Sequence, residues 1–216
     1  MTPPAAILFD WDNTLVDGWD AIQSGLNATF AAFGRPLWSR EDVLRGVRHS
    51  LKDSFPPIFG TEWERARDIF YAEVRRCHLE VLRPLPGIAA MLAVAARIAP
   101  LGVVSNKQGP LLRAEAAHLG WLPHFGALVG AGDASDDKPA AAPLLLALER
   151  LAIPPGPEVW YVGDTGLDMQ AARAAGCRAV LFGDASHDGG LPKAAPDERF
   201  GNADALCAGL LSLDKA

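Results

Sequence analysis

The chain of 216 residues has little cysteine, no surplus of positive charge and no long apolar run. Its three cysteines, Cys77, Cys177 and Cys207, are widely spaced and form no CxxC pair. That odd, sparse count suits a reducing cytosol, with each thiol serving as a small buried hydrophobe. The formal charge is −6, so the basic surplus of a nucleic-acid binder is missing. No apolar stretch approaches the roughly 20 residues that span a bilayer. The opening "MTPPAAILFDWD" has no basic segment and its apolar stretch ends in acids, which is not the pattern of a signal peptide. Repeats and low-complexity tracts are absent too. What is present is a hydrophobic half, 50% of the residues, enough for one good core or a core with a small satellite domain.

Residues 5–10 read as a short, fully buried strand. From 18 to about 83 the pattern is helical. Ala21, Ile22, Leu26, Phe30 and Phe33 recur at helical spacing, and Gly34 can end that helix. "SRED" at 39–42 and "TEWE" at 61–64 have the form of capping boxes, each opening a further helix. Trp19, Trp38 and Trp63 offer aromatic surface for a small helical core, and no clear strand interrupts this insert. After "RPLPG" at 83–87, strands and helices alternate. Strands are expected at 101–105, 127–130, 158–164 and in "RAVLFG", with helices between them. The polar, Gly/Pro-rich 184–200 reads as a loop that could bring His187 or Lys193 near a site. A last helix runs from Ala203 to Leu213.

This alternation implies right-handed crossovers and a parallel sheet covered on both faces. Ligands bind such sheets beyond the carboxyl ends of the strands, where strand order reverses. The polar residues fall at those ends: Asp10 and Asp12, then Ser105 and Asn106, then Asp133, Asp136 and Lys138, then Asp164 and Asp168. Taken singly, each Asp reads as a turn former or a helix cap, and Lys138 as a solvated surface residue. Together they need another account. Two carboxylates 4 Å apart repel by roughly 4 kcal/mol at an effective dielectric near 20. Converging acids therefore hold protons or a cation, and an all-oxygen set with carboxylates suits Mg²⁺. Asp12 lies two residues along a strand-like segment from Asp10 and so on the same side.

"FDWDNTL", "VVSNK", Lys138-Pro139 and "GDTGLDM" stand in the order and spacing of the haloacid dehalogenase-like superfamily. The chain resembles its phosphoglycolate phosphatase-type members, those with a small helical cap, along essentially its whole length. The resemblance implies an α/β fold: a Rossmann-like core of 1–17 and 84–216, and a helical cap domain of 18–83 inserted after the first strand. It implies Asp10 as nucleophile and Asp12 as general acid and base. Thr14, Ser105 and Asn106 would position the phosphoryl group, and Lys138 would neutralise charge. Mg²⁺ would sit on Asp10, the Asp12 carbonyl and Asp164, with Asp168 supporting. Asp12 also argues against the dehalogenases of this superfamily, which do not retain an acid there.

The expected activity is Mg²⁺-dependent hydrolysis of a small phosphorylated metabolite in the cytoplasm by a monomer or homodimer, with no nucleic acid or membrane involved. A phosphomutase with the same core, and a non-catalytic phosphate-binding protein, are the alternatives. A phosphonoacetaldehyde hydrolase fits less well, because Lys52 is the only lysine in the cap. Arg45, Arg48 and His49 form a basic stripe if 44–52 is helical. The stripe is either a solvated face or the contact for an anionic substrate such as 2-phosphoglycolate.

Overall fold

The computed structural model describes residues 3–46 and 51–213, the side chains of residues 52 and 53 excepted. The chain forms two compact units, one of Met1–Val16 and Pro84–Ala216, the other of Asp17–Arg83. In chain order, the first unit opens with strand β1 (Ala6–Phe9). The chain passes between the units through the two-residue strands β2 (Val16–Asp17) and β3 (Arg83–Pro84). Between them lie helices α1 (Trp19–Ala32), α2 (Arg40–Gly46), α3 (Leu51–Phe59) and α4 (Trp63–Val81). The first unit resumes as α5 (Ile88–Ile98), β4 (Leu101–Gln108), α6 (Gly109–His118), β5 (Phe125–Ala131), α7 (Ala142–Leu151), β6 (Val159–Gly163) and α8 (Gly166–Ala174). It ends with β7 (Arg178–Phe182), α9 (Leu191–Ala194), β8 (Glu198–Phe200) and α10 (Ala203–Leu213).

Six strands form one parallel sheet in the order β5-β4-β1-β6-β7-β8. The order reverses at β1, which pairs with β4 on one side and β6 on the other. All four β1 residues are fully buried, as a central parallel strand covered on both faces requires. Burying each large apolar side chain contributes about 1.5–3 kcal/mol. On one face Leu8, Val104, Val129 and Leu181 meet Leu144 and Leu148 of α7 and Met169 of α8. The stretch 184–200 is more ordered than its composition suggests. It holds α9 and the edge strand β8, which pairs with β7 at Val180, Leu181 and Phe182.

In the helical unit α1 packs along α4. The buried aromatic core is made by Phe30, Phe55, Phe59 and Phe70, whereas Trp19, Trp38 and Trp63 are only half-buried. Trp38 still covers Phe30, with ring centroids 5.0 Å apart. The box at Ser39 forms: Ser39 Oγ accepts from the Asp42 amide at 3.2 Å, and Asp42 Oδ2 accepts from the Ser39 amide at 3.0 Å. The box expected at Thr61 does not. Thr61 lies inside a single 3₁₀ turn, Gly60–Glu62, and α4 starts after Glu62 with no side-chain cap.

Candidate active site

The reversal at β1 brings three strand ends together. Asp10 follows β1, Ser105 and Asn106 lie in the last part of β4, and Asp164 follows β6. Asp10, Thr14, Ser105, Lys138, Asp164 and Asp168 are all buried. Carboxylate oxygens of Asp10, Asp164 and Asp168 lie within 4.8 Å of one another. Lys138 sits among them. Its Nζ donates to Asp10 Oδ1 at 2.6 Å, Asp168 Oδ1 at 2.7 Å and the Tyr161 hydroxyl at 2.9 Å. The Tyr161 hydroxyl reaches the Val104 carbonyl at 2.9 Å, which anchors this group to β4.

Local chain chemistry fixes each member. Thr165 caps α8: its hydroxyl accepts from the Asp168 amide, and Asp168 returns a bond to the Thr165 amide at 3.1 Å. Asp168 reaches β6 this closely because residue 163 is Gly, where a Cβ would stand 2.4 Å from Asp168 Cγ. Asn106 holds Lys138 from the neighbouring strand. Its Nδ2 donates to the Lys138 carbonyl at 3.0 Å and its Oδ1 accepts from the Lys138 amide at 2.9 Å. Ser105 Oγ accepts from the Lys107 amide at 3.2 Å. Thr14 Oγ1 lies 3.5 Å from Asp10 Oδ2 and 3.3 Å from Asp164 Oδ1, long contacts that bridge the two acids.

Burial raises the Asp10 carboxyl from 3.8 to about 8, with Lys138 opposing and the neighbouring acids adding to the rise. Burial likewise raises Asp164, against a contact from His187. Burial works against Asp168 too, but Lys138 and Thr165 overcome it and hold that carboxyl below the usual range. Lys138 loses to burial and gains more from Asp10 and Asp168, so its ammonium is held well above its ordinary value.

Among the described residues, Oδ2 of Asp164 is buried with no hydrogen bond of good geometry, and its near neighbour is His187 Nε2 at 3.1 Å. Three carboxylates with oxygens within 4.8 Å of one another, one of them buried without a well-directed hydrogen bond among the described residues, fit a hard divalent cation. Asp10 and Asp164 are the members best placed to hold it, since both oxygens of Asp168 are taken by Lys138 and Thr165.

The family model described as haloacid dehalogenase-like hydrolase matches residues 7–182. The chain belongs to this family. Its match to the phosphoglycolate phosphatase of Xylella fastidiosa is 33% identical over 192 residues, covering 86% of this chain and 83% of that one. The phosphoglycolate phosphatase of Chromobacterium violaceum is 31% identical over 188 residues, covering 82% and 84%. In fold, a haloacid dehalogenase-like family protein of Streptococcus pneumoniae superposes with a TM-score of 0.85 at 22% identity, covering 97% of this chain and 99% of that one. Within the haloacid dehalogenase-like hydrolases, the chain is a phosphatase, a phosphoric monoester hydrolase.

The candidates named from sequence fall in different places. Asp10, Thr14, Lys138, Asp164 and Asp168 form one cluster, with Asn106 behind Lys138. Asp12 lies beside it and receives a bond from Lys107 at 2.8 Å; burial raises its carboxyl while Lys107 opposes the rise. Asp133 and Asp136 stand apart: Asp133 pairs with Arg113 at 2.6 Å, and Asp136 is exposed beside Ser135. In the helical unit Arg45 pairs with Asp42 at 3.2 Å and Glu41 at 3.7 Å, while Arg48 and His49 lie outside the described residues. His187 reaches Asp164, but Lys193 instead pairs with Asp188 at 2.6 Å.

Sequence reading passed over Lys107, Glu115 and Tyr161. Glu115 carried a signal. It shares the apolar face of α6 with Leu111, Leu112 and Ala116, where a charge needs a buried partner.

Proposed function

We propose that the protein hydrolyses a small organic phosphate monoester with Mg²⁺, through an aspartyl phosphate on Asp10. The observation that supports this most is Asp10 itself. It stands at the end of the central strand, 2.6 Å from a buried lysine and within 4.8 Å of the carboxylates of Asp164 and Asp168. Mg²⁺ would be held by Asp10, the Asp12 carbonyl and Asp164, with Asp168 supporting, and would supply positive charge to the phosphoryl oxygens and keep the acids ionised. An Asp10 carboxylate oxygen attacks phosphorus, and the bond to the ester oxygen breaks as Asp12 gives that oxygen a proton. Water then attacks the aspartyl phosphate while Asp12 takes its proton, which frees orthophosphate and restores Asp10. Lys138 faces the oxygens that gather charge, Thr14 bridges Asp10 and Asp164, Asn106 holds Lys138 in place, and Ser105 would help position the phosphoryl group.

The names of the matched phosphatases favour 2-phosphoglycolate as substrate. The helical unit would then be the cap that selects the leaving group, with Arg45, Arg48 and His49 as its candidate contacts to a substrate carboxylate. In this reading the protein is cytoplasmic and needs no nucleic acid or membrane. The test is release of orthophosphate from 2-phosphoglycolate and an aryl phosphate, with and without Mg²⁺. Asp10→Asn should lower the rate by at least about 10⁴-fold, the scale of removing a covalent nucleophile. Acid quench of Asp12→Asn mixed with the aryl phosphate, which leaves without a proton, should trap phosphate on Asp10, readable by mass spectrometry. An Asp10→Asn protein as fast as wild type would sink the reading.

A further inference from the structure

Beside the acid cluster lies a second buried charge group that the proposed reaction leaves unused. Glu115, on α6, is fully buried. Its Oε2 accepts from the Trp11 indole Nε1 at 2.6 Å and from Lys107 Nζ at 2.6 Å. The same Lys107 Nζ donates to Asp12 Oδ1 at 2.8 Å. Trp11 is itself fixed, buried edge-on against Trp121 at 5.8 Å between ring centroids. The chain of contacts therefore runs from α6 through the last part of β4 to both residues that flank the peptide between 11 and 12.

A buried ion pair is a weak reason for stability, since apolar residues of equal volume often serve as well. It is a strong means of aim. Lysine carries a compact charge on a flexible four-carbon stem, and a lone Lys107 could hold Asp12 in several geometries. Glu115 removes that freedom by holding the ammonium from the far side. Asp12 has a matching need: it stands in the loop after β1, next to Asn13 in the left-handed region at φ 64°, away from the regular strand.

We propose that Lys107, clamped by Glu115, is a positioning residue that aims the Asp12 carboxyl at the ester oxygen. Lys107 occupies Oδ1, and Oδ2 carries the proton to the leaving group. This rests on the assignment of Asp12 as the proton-transferring group. The two claims separate by leaving group. An aryl phosphate such as p-nitrophenyl phosphate departs without a proton, whereas an alkyl phosphate such as 2-phosphoglycolate needs one. The readout is kcat/KM, which reports the steps up to the phosphoenzyme, for both substrates.

Asp12→Asn should lower kcat/KM for the alkyl phosphate about 100-fold more than for the aryl phosphate, within the usual range for general acid catalysis. Lys107→Met should copy the pattern at about 30-fold and Glu115→Gln at about tenfold, as misplacement effects of this size predict. Glu115→Gln keeps the volume and an acceptor for Trp11, so it carries the test by itself if Lys107→Met does not fold. If Lys107→Met and Glu115→Gln slow both substrates equally, or neither, while Asp12→Asn still discriminates, the positioning role is overturned and the proton-donor assignment stands. If Asp12→Asn does not discriminate, both claims are overturned.

Discussion

The helical unit and the strand ends both hold ion pairs of nearly the same length, and the pairs do opposite things. In the helical unit Arg76–Glu73 at 2.7 Å and Arg65–Glu62 at 2.9 Å join neighbours on one helix or turn, and both arginines are exposed. At the strand ends Lys138–Asp10 at 2.6 Å and Lys107–Glu115 at 2.6 Å join distant segments, and the lysines are 4% and 10% exposed. Water screens the first kind, so breaking one costs little. The second kind has lost its water, so removing one partner strands the other. The cations differ to match. Arginine's flat fork suits the exposed carboxylates, whereas a point-like ammonium can serve two acids and a hydroxyl at once. Distance alone does not say what an ion pair is for.

The sharpest way to break this contrast is Lys138→Met, which leaves Asp10 and Asp168 facing each other in a dry site. It should lower stability by about 3–5 kcal/mol in denaturant titration, and a loss no larger than that of an exposed pair would erase the distinction. Gly163→Ala comes next. Its new Cβ would lie 2.4 Å from Asp168 Cγ and 2.5 Å from Asp168 Cβ, too close for a small rotation to relieve. A destabilisation of about 1–3 kcal/mol and a fall in kcat are expected, without a matching rise in KM.

Magnesium sharpens the comparison from another side. In the protein without cation, Asp10 is raised from 3.8 to about 8 by burial, so the folded state holds that proton more tightly than the unfolded chain. Its contribution to stability is full below about pH 4 and is lost as pH rises towards 8. A cation competes with the same proton. Saturating Mg²⁺ should therefore raise Tm more at pH 8 than at pH 5.5, and equal shifts at both values would count against Asp10 as a ligand. The smallest effect belongs to the helical unit: Arg65→Ala should move Tm by less than about 3 °C. A larger drop would show that exposed pairs matter there after all.

How much of this was legible in the sequence follows from the length scale of each signal. Asp10 and Asp164 each follow an unbroken apolar run, so both their strand and their position at its end could be read. Lys138 stands well beyond the short strand expected at 127–130, so its place at the rim was marked by that position and by its order among the other motifs. The pairing of Lys107 with Glu115 was not legible, because it depends on how α6 lies against β4. Tyr161 looked like one more strand hydrophobe until its hydroxyl met Lys138 at 2.9 Å. The edge strand β8 was missed because Glu198, Arg199 and Phe200 contain no apolar run; its pairing with β7 makes it a strand. The "TEWE" box failed because Gly60 turns the chain at φ 57° into a 3₁₀ turn, which removes Thr61 from the capping position.

The double grip of Asn106 on Lys138 has a consequence for how this chain can be re-engineered. Both backbone groups of the lysine are read by a side chain on β4, so the ammonium takes its coordinates from the sheet and not from the segment that delivers it. Residues 135–137 of that segment are exposed. Extra residues or a grafted tag introduced there should leave the lysine where it stands.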